Sequence, residues 1–232
     1  MSKKSVLQPA ENQETTNRLL DTAERLFGER GYDGVGMREL AAEAKANLGA
    51  ATYHFGSKKA LYIETFMRRF RPINAQRMQL LEAAQAEVKT QGRPLTVEKV
   101  IDCLARPPYV LGLEHPNFNA LLARNLLTPP AFLHIALHRE LGPNVEAFIA
   151  VLRRLLRDVP EDLIRLRVMF STGSLLMFSQ QMERLRPARD PKFDESMLKE
   201  LVRFISVGLQ SEPAVPAASR SPFPRPPKLP RA

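Results

Sequence analysis

The 232-residue chain has no tryptophan, a single cysteine and no long apolar run, and each absence removes a class of protein. Cys103 has no partner for an internal disulfide, which points to a reducing, cytoplasmic setting. No stretch approaches the roughly 18 consecutive apolar residues of a membrane span, and no basic-apolar-small leader precedes the first helix-like segment, so no membrane partner is expected. Hydrophobic content is 44%, with few strand-like alternations, which predicts an all-α protein. There is no glycine-rich phosphate loop, no nucleophile elbow around Ser171 or Ser174, and no pair of carboxylates on one apolar helix face. An enzyme is therefore not expected. His134 and His138 stand four apart on one helix, but no cysteine joins them, so neither a metal site nor a cofactor is expected.

What is present is positive charge, a net +9. Residues 1–58 contribute none of it, since eight Lys/Arg there face eight Asp/Glu. The surplus lies further on: Arg68, Arg69, Arg71 and Arg77, then Arg184, Arg186, Arg189 and Lys192, then Arg220, Arg225, Lys228 and Arg231. Most of these read as solvated faces. Arg68 and Arg69 are near enough in sequence to the N-terminal motif to help hold phosphates.

That motif is the segment from Gly36 to Lys59. Met37, Leu40, Ala41 and Ala44 recur at helical spacing, and after a short break Leu48, Ala51 and Phe55 do the same. Two short amphipathic helices around one tight turn make a helix-turn-helix. The second helix exposes Asn47, Thr52, Tyr53 and His54 with small Gly49 and Ala50 between them, a surface fit for reading base edges in a major groove. Ser57 caps the next helix. Lys58 and Lys59 sit in its first turn, where lysine opposes the helix dipole but suits phosphate.

The residues Leu19–Tyr32, Arg38–Ala42, Asn47–Lys58 and Ala60–Tyr62 together resemble the TetR family of bacterial one-component repressors. Within it, the Asn47-Leu48 start and the Tyr53-to-Lys58 end are similar to the fatty-acid-responsive branch. The resemblance implies DNA contacts from Arg38, Lys45, Asn47, Leu48, Gly49, Ala50, Thr52, Tyr53, His54 and Lys58. Two departures stand out. Val35-Gly36 replaces the usual Ser or Thr cap of the second helix, and Lys45 replaces the usual turn glycine, at a cost of order 1 kcal/mol if its φ is positive.

The expected organisation is a flexible arm over residues 1–13, a three-helix DNA-binding domain over 14–60, a helical ligand-binding and dimerisation bundle over 61–210, and a Pro-rich basic tail over 211–232. Pro72 predicts a kink or break near Arg68 to Arg71. Further helices are expected near 95–105, 116–126, 130–157, 160–186 and 194–209, separated by prolines. Seven prolines between Pro213 and Pro230 predict a disordered or polyproline-like tail.

The second domain carries more apolar bulk than one bundle interface needs, including Phe132, Ile135, Leu126 and Phe148. The family resemblance implies an effector pocket among such residues, with Phe70, Cys103, Phe118, Leu122, Arg124, Met169, Phe170 and Met177 as its candidate lining. Arg124, beside an apolar stripe, needs an anion: either a carboxylate such as Glu140 or Glu146, or an effector headgroup. The small residues Ser171 to Ser174 and the stripe Leu198, Leu201, Val202, Ile205, Leu209 are expected to pair two protomers, giving a homodimer on a palindromic operator of double-stranded DNA. The expected function is a repressor released by a small apolar, acyl-like effector. The alternative is a DNA-organising or partner-recruiting protein of the same fold.

Overall fold

The computed structural model describes residues 4–125, 129–185 and 190–213. Nine helices occur among them: α1 (Lys4–Arg30), α2 (Met37–Glu43), α3 (Leu48–Phe55), α4 (Lys58–Gln91), α5 (Val97–Glu114), α6 (Pro116–Asn125), α7 (Ala131–Leu155), α8 (Glu161–Leu185) and α9 (Pro191–Gln210). No strand occurs among the described residues, in keeping with the all-α reading. The expectations for Leu126, Arg186 and Arg189, for the side chain of Arg184, and for the tail beyond residue 213 lie outside the described residues.

Helix boundaries follow local chemistry. α1 buries Leu19, Leu20, Ala23, Leu26 and Phe27 along one stripe and stops at Gly31, whose φ of +75° L-residues rarely adopt. Asn47, Ser57 and Thr96 cap α3, α4 and α5 by accepting from the backbone N–H three residues on, and α4 ends at Gly92 in the left-handed region. α9 opens with Asp190 as cap and Pro191 in its first turn.

Two apolar cores form. The N-terminal one joins α1, α2, α3 and the start of α4 to Phe118 and Leu121 of α6 and Leu133 of α7. The other gathers the second half of α4 with α5, α7, α8 and α9. Burial thus crosses the expected 60/61 boundary, because Leu61, Tyr62 and Phe66 are buried among the residues of α1 to α3.

Several expectations need correction. α1 begins at Lys4, so the segment read as an arm through residue 13 is helical from there. Pro72 does not break α4, and Pro107 and Pro108 lie within α5 instead of ending a helix at 105. A proline removes one backbone bond, a loss that the packing of a long helix outweighs. The stripe Leu198, Leu201, Val202, Ile205 and Leu209 is buried in the chain's own core, so it is not free to meet a partner.

Candidate nucleic-acid interface

The α2–α3 turn is built by hydrogen bonding. Lys45 N–H donates to Ala42 O at 3.0 Å and Ala46 N–H to Ala41 O at 2.9 Å, the double closure of a Schellman end. Lys45 takes the residue position that needs positive φ, +52°. At the other end of α2, Gly36 offers no side chain, and Glu39 supplies half a capping box by accepting from Gly36 N–H at 3.4 Å. Arg30 donates to the same Glu39 at 2.7 Å and holds its carboxyl below the usual range.

α3 buries Ala51 and leaves Leu48, Gly49, Thr52 and Tyr53 outward, with Tyr53 82% exposed. Two of the expected readers are engaged elsewhere. Asn47 Oδ1 accepts from Ala50 N–H at 2.6 Å, so half of its amide serves the helix. His54 turns towards α1, with Nδ1 3.3 Å from Thr16 Oγ1. Around the exposed face the cations divide into two kinds. Arg25 pairs with Glu29 and Glu43, and Arg30 with Glu39, while Arg38 and Lys45 are exposed and pair with no carboxylate among the described residues. Lys58 Nζ lies 4.4 Å from the Tyr32 ring centre and Lys59 Nζ 5.4 Å from that of Phe132, so aromatic faces steady both ammonium groups without neutralising them.

Arg68 and Arg69 do not join this surface. Glu24, only 4% exposed, takes Arg68 at 2.6 Å and Arg69 at 2.9 Å, and Asp21 takes Arg68 at 2.7 Å. The sequence gives no warning of this, because the partners lie more than forty positions apart.

Sequence matches agree with this geometry. Residues 19–65 match the family described as "Bacterial regulatory proteins, tetR family", and residues 102–208 match "Tetracyclin repressor-like, C-terminal domain". The chain belongs to the TetR family. It is 27% identical over 138 residues to the HTH-type transcriptional dual regulator CecR of Shigella flexneri, a match covering 56% of this chain and 60% of CecR. The chain spans about three fifths of the length of CecR and of the HTH-type transcriptional repressor NicS of Pseudomonas putida. Its fold is similar to that of a TetR-family transcription regulator from Shewanella sp. PV-4, with TM-score 0.56, 20% identity and coverage of 81% of this chain and 95% of that one. It is also similar to FadR of Bacillus subtilis in complex with stearoyl-CoA, with TM-score 0.58, 14% identity and coverage of 82% and 97%. The matched families and relatives are transcriptional regulators.

For this TetR-family chain, the residues expected to line one effector pocket do not come together. Phe118 is buried in the N-terminal core with Phe70 and Leu122 against it, whereas Cys103 is buried in the other core. Burial pushes the Cys103 thiol up to about 11. Met169, Phe170 and Met177 are exposed on α8. Arg124 pairs with neither Glu140 nor Glu146. It donates through Nε to Gly28 O at 3.1 Å and through Nη2 to Glu29 O at 2.6 Å, closing the carbonyl end of α1. Glu146 instead pairs with Arg165, and Glu140 lies 4.0 Å from Arg71 Nε.

Proposed function

We propose that the chain is a dimeric repressor that reads a palindromic operator through α3 and is released from it by a small apolar effector. The observation that carries the DNA reading is the outward surface of α3: Leu48, Gly49, Thr52 and Tyr53, set among the unpaired cations Arg38, Lys45, Lys58 and Lys59. Small residues admit the helix to a major groove, Tyr53 and Thr52 offer hydroxyls to bases or phosphates, and the cations supply the salt-dependent backbone term.

The dimer reading has support in an apolar surface left open on α8 and α9. Met169, Phe170, Met177, Phe204 and Val207 are all more than half exposed. Phe170, Ser174, Phe204, Val207 and Gly208 line a groove of about 490 Å³ between the two helices. An apolar patch of this kind calls for a partner, and an isologous pairing would display two α3 helices about 34 Å apart, one DNA turn. The acyl-like character of the effector rests on the resemblance at Asn47-Leu48 and Tyr53–Lys58.

Footprinting against a library of duplexes tests the reading, and one short protected palindrome is expected. Tyr53→Ala should weaken operator binding about tenfold or more while leaving stability within about 0.5 kcal/mol, since this side chain is solvent-facing. Undiminished operator affinity in that variant would remove α3 from the reading role.

A further inference from the structure

His54 uses one ring nitrogen and leaves the other. Its Nδ1 lies 3.3 Å from Thr16 Oγ1, and Thr16 Oγ1–H donates to Asn12 O at 2.8 Å. A hydroxyl carries a single proton, and this one goes to the carbonyl, so Thr16 can only accept from the ring. Nδ1 therefore carries hydrogen. The neutral ring then has a bare Nε2, which accepts a hydrogen bond but cannot give one, and only the charged ring donates from both nitrogens. Asn12 stands four residues before Thr16 and lies inside α1 because that helix begins at Lys4. Had α1 begun near residue 14, the hydroxyl proton would have been free for Nδ1. The N-terminal extension of α1 thus sets the chemistry of a side chain on α3.

Nε2 makes no hydrogen bond among the described residues, and His54 stands in the last turn of α3, where the helix dipole favours a cation. Base edges are read from the first turns of a recognition helix, so a group at its far end meets the sugar-phosphate backbone. A phosphate oxygen can only accept. Around α3, Arg18 of α1 is held by Glu14, Glu43 of α2 by Arg25, and Lys58 of α4 lies over Tyr32, while Arg38 and Lys45 are unpaired. The Tyr53 ring lies 5.4 Å from the imidazole. No carboxylate pairs with His54 among the described residues, so the anion that a charged ring needs is left to the duplex.

We propose that operator binding takes up a proton at His54. Thr16 Oγ1 accepts from Nδ1–H and aims the ring, and the imidazolium, formed with a proton from solvent, donates from Nε2–H to a backbone phosphate. Thr16 is then a positioning residue that acts through the ring. The inference rests on the reading of α3 as the DNA-facing helix and gives that contact a sign: duplex affinity rises as pH falls through the imidazole range, from about 8 to about 6.

The test is calorimetric titration of the full chain with the duplex protected in footprinting, at about pH 7.5 in phosphate and in Tris buffer, whose different ionisation heats count the protons. The wild-type chain should take up about half a proton or more per protomer. His54→Gln keeps a neutral donor near the place of Nε2, so it should bind the duplex with about no uptake. Thr16→Val removes the acceptor at similar volume. The neutral ring can then carry its hydrogen on Nε2, so uptake should fall to about half or less with melting temperature unchanged, and Thr16→Ser should restore it. A purely structural threonine would move stability or affinity, not the proton count. Should Thr16→Val fail to fold, Thr16→Ala, which a helix favours, makes the same comparison. Wild-type uptake no greater than that of His54→Gln, or undiminished uptake without the Thr16 hydroxyl, overturns the proposal. Either result with duplex binding intact leaves the DNA reading standing, whereas failure to bind any duplex removes both.

Discussion

Lys45 shows a single residue carrying two opposed demands. Its φ of +52° is the conformation glycine adopts freely, and the Schellman closure around it leaves no other backbone path from α2 to α3. Lys45→Gly should therefore stabilise the fold by up to about 1 kcal/mol in urea denaturation. It should also weaken duplex binding and lower the salt dependence by about one counter-ion, because the lysine is exposed and unpaired. A stabilised variant with unchanged salt dependence would show that the charge touches no phosphate. The same scale shows where residue type misleads. Asn47, Thr52, Tyr53 and His54 look equivalent as polar tips, yet Asn47 caps its own helix and His54 meets Thr16. Only the fold distinguishes a hydrogen-bonding group that is free from one already used.

At the scale of the helix, α6 ties the N-terminal core to the rest. Gly28 lets it approach α1, since an added Cβ would come within 3.2 Å of Asn117 O and 3.3 Å of Leu121 N. Arg124 closes the end of α1, and Tyr62 Oη–H donates to Asn125 Oδ1 at 2.9 Å. The single residue between α5 and α6 is His115, whose Nε2 lies 3.2 Å from Arg69 Nη1. A guanidinium can only donate, so this nitrogen accepts and the ring is neutral. Desolvation first, and then Arg69, hold the His115 pKa below the ordinary imidazole value, with Arg68 in the same sense and Glu24 and Glu114 opposing. The unfolded chain then takes up a proton before the folded one does, so stability should fall as pH drops below about 6.5. His115→Gln retains an acceptor for Arg69 and should flatten this acid limb in denaturation curves compared at pH 7.5 and 5.5. An equally steep limb in the variant would place the acid sensitivity elsewhere.

For the whole molecule, the decisive feature is which apolar residues the two cores leave unburied. Leu198, Leu201, Val202, Ile205 and Leu209 share one face of α9 and are consumed internally, so the neighbouring Phe204, 65% exposed, and Val207 become the open surface. Phe204→Glu should convert a dimer to a monomer in sedimentation, with little change in helical content. It should also cut operator affinity by much more than the loss of one contact would, because two half-sites no longer bind as a unit. A variant that sediments as a dimer would move the interface off this groove.

The helix-turn-helix, the cap at Ser57 and the departure from glycine at the Lys45 turn were legible in the amino-acid order, whereas the capping role of Asn47 was not. Each legible feature depends on neighbours within a few positions, where spacing and side-chain chemistry act directly. The all-helical class was legible for the same reason. The roles of Arg68, Arg69 and Arg124 were not, nor was the continuity of α4 and α5 through their prolines. A guanidinium is long and satisfied equally by water, a carboxylate or a carbonyl, so its use depends on which distant helix folding brings within about 3 Å of it. Local chemistry chose the helices, and their packing alone chose which charges remain free to act.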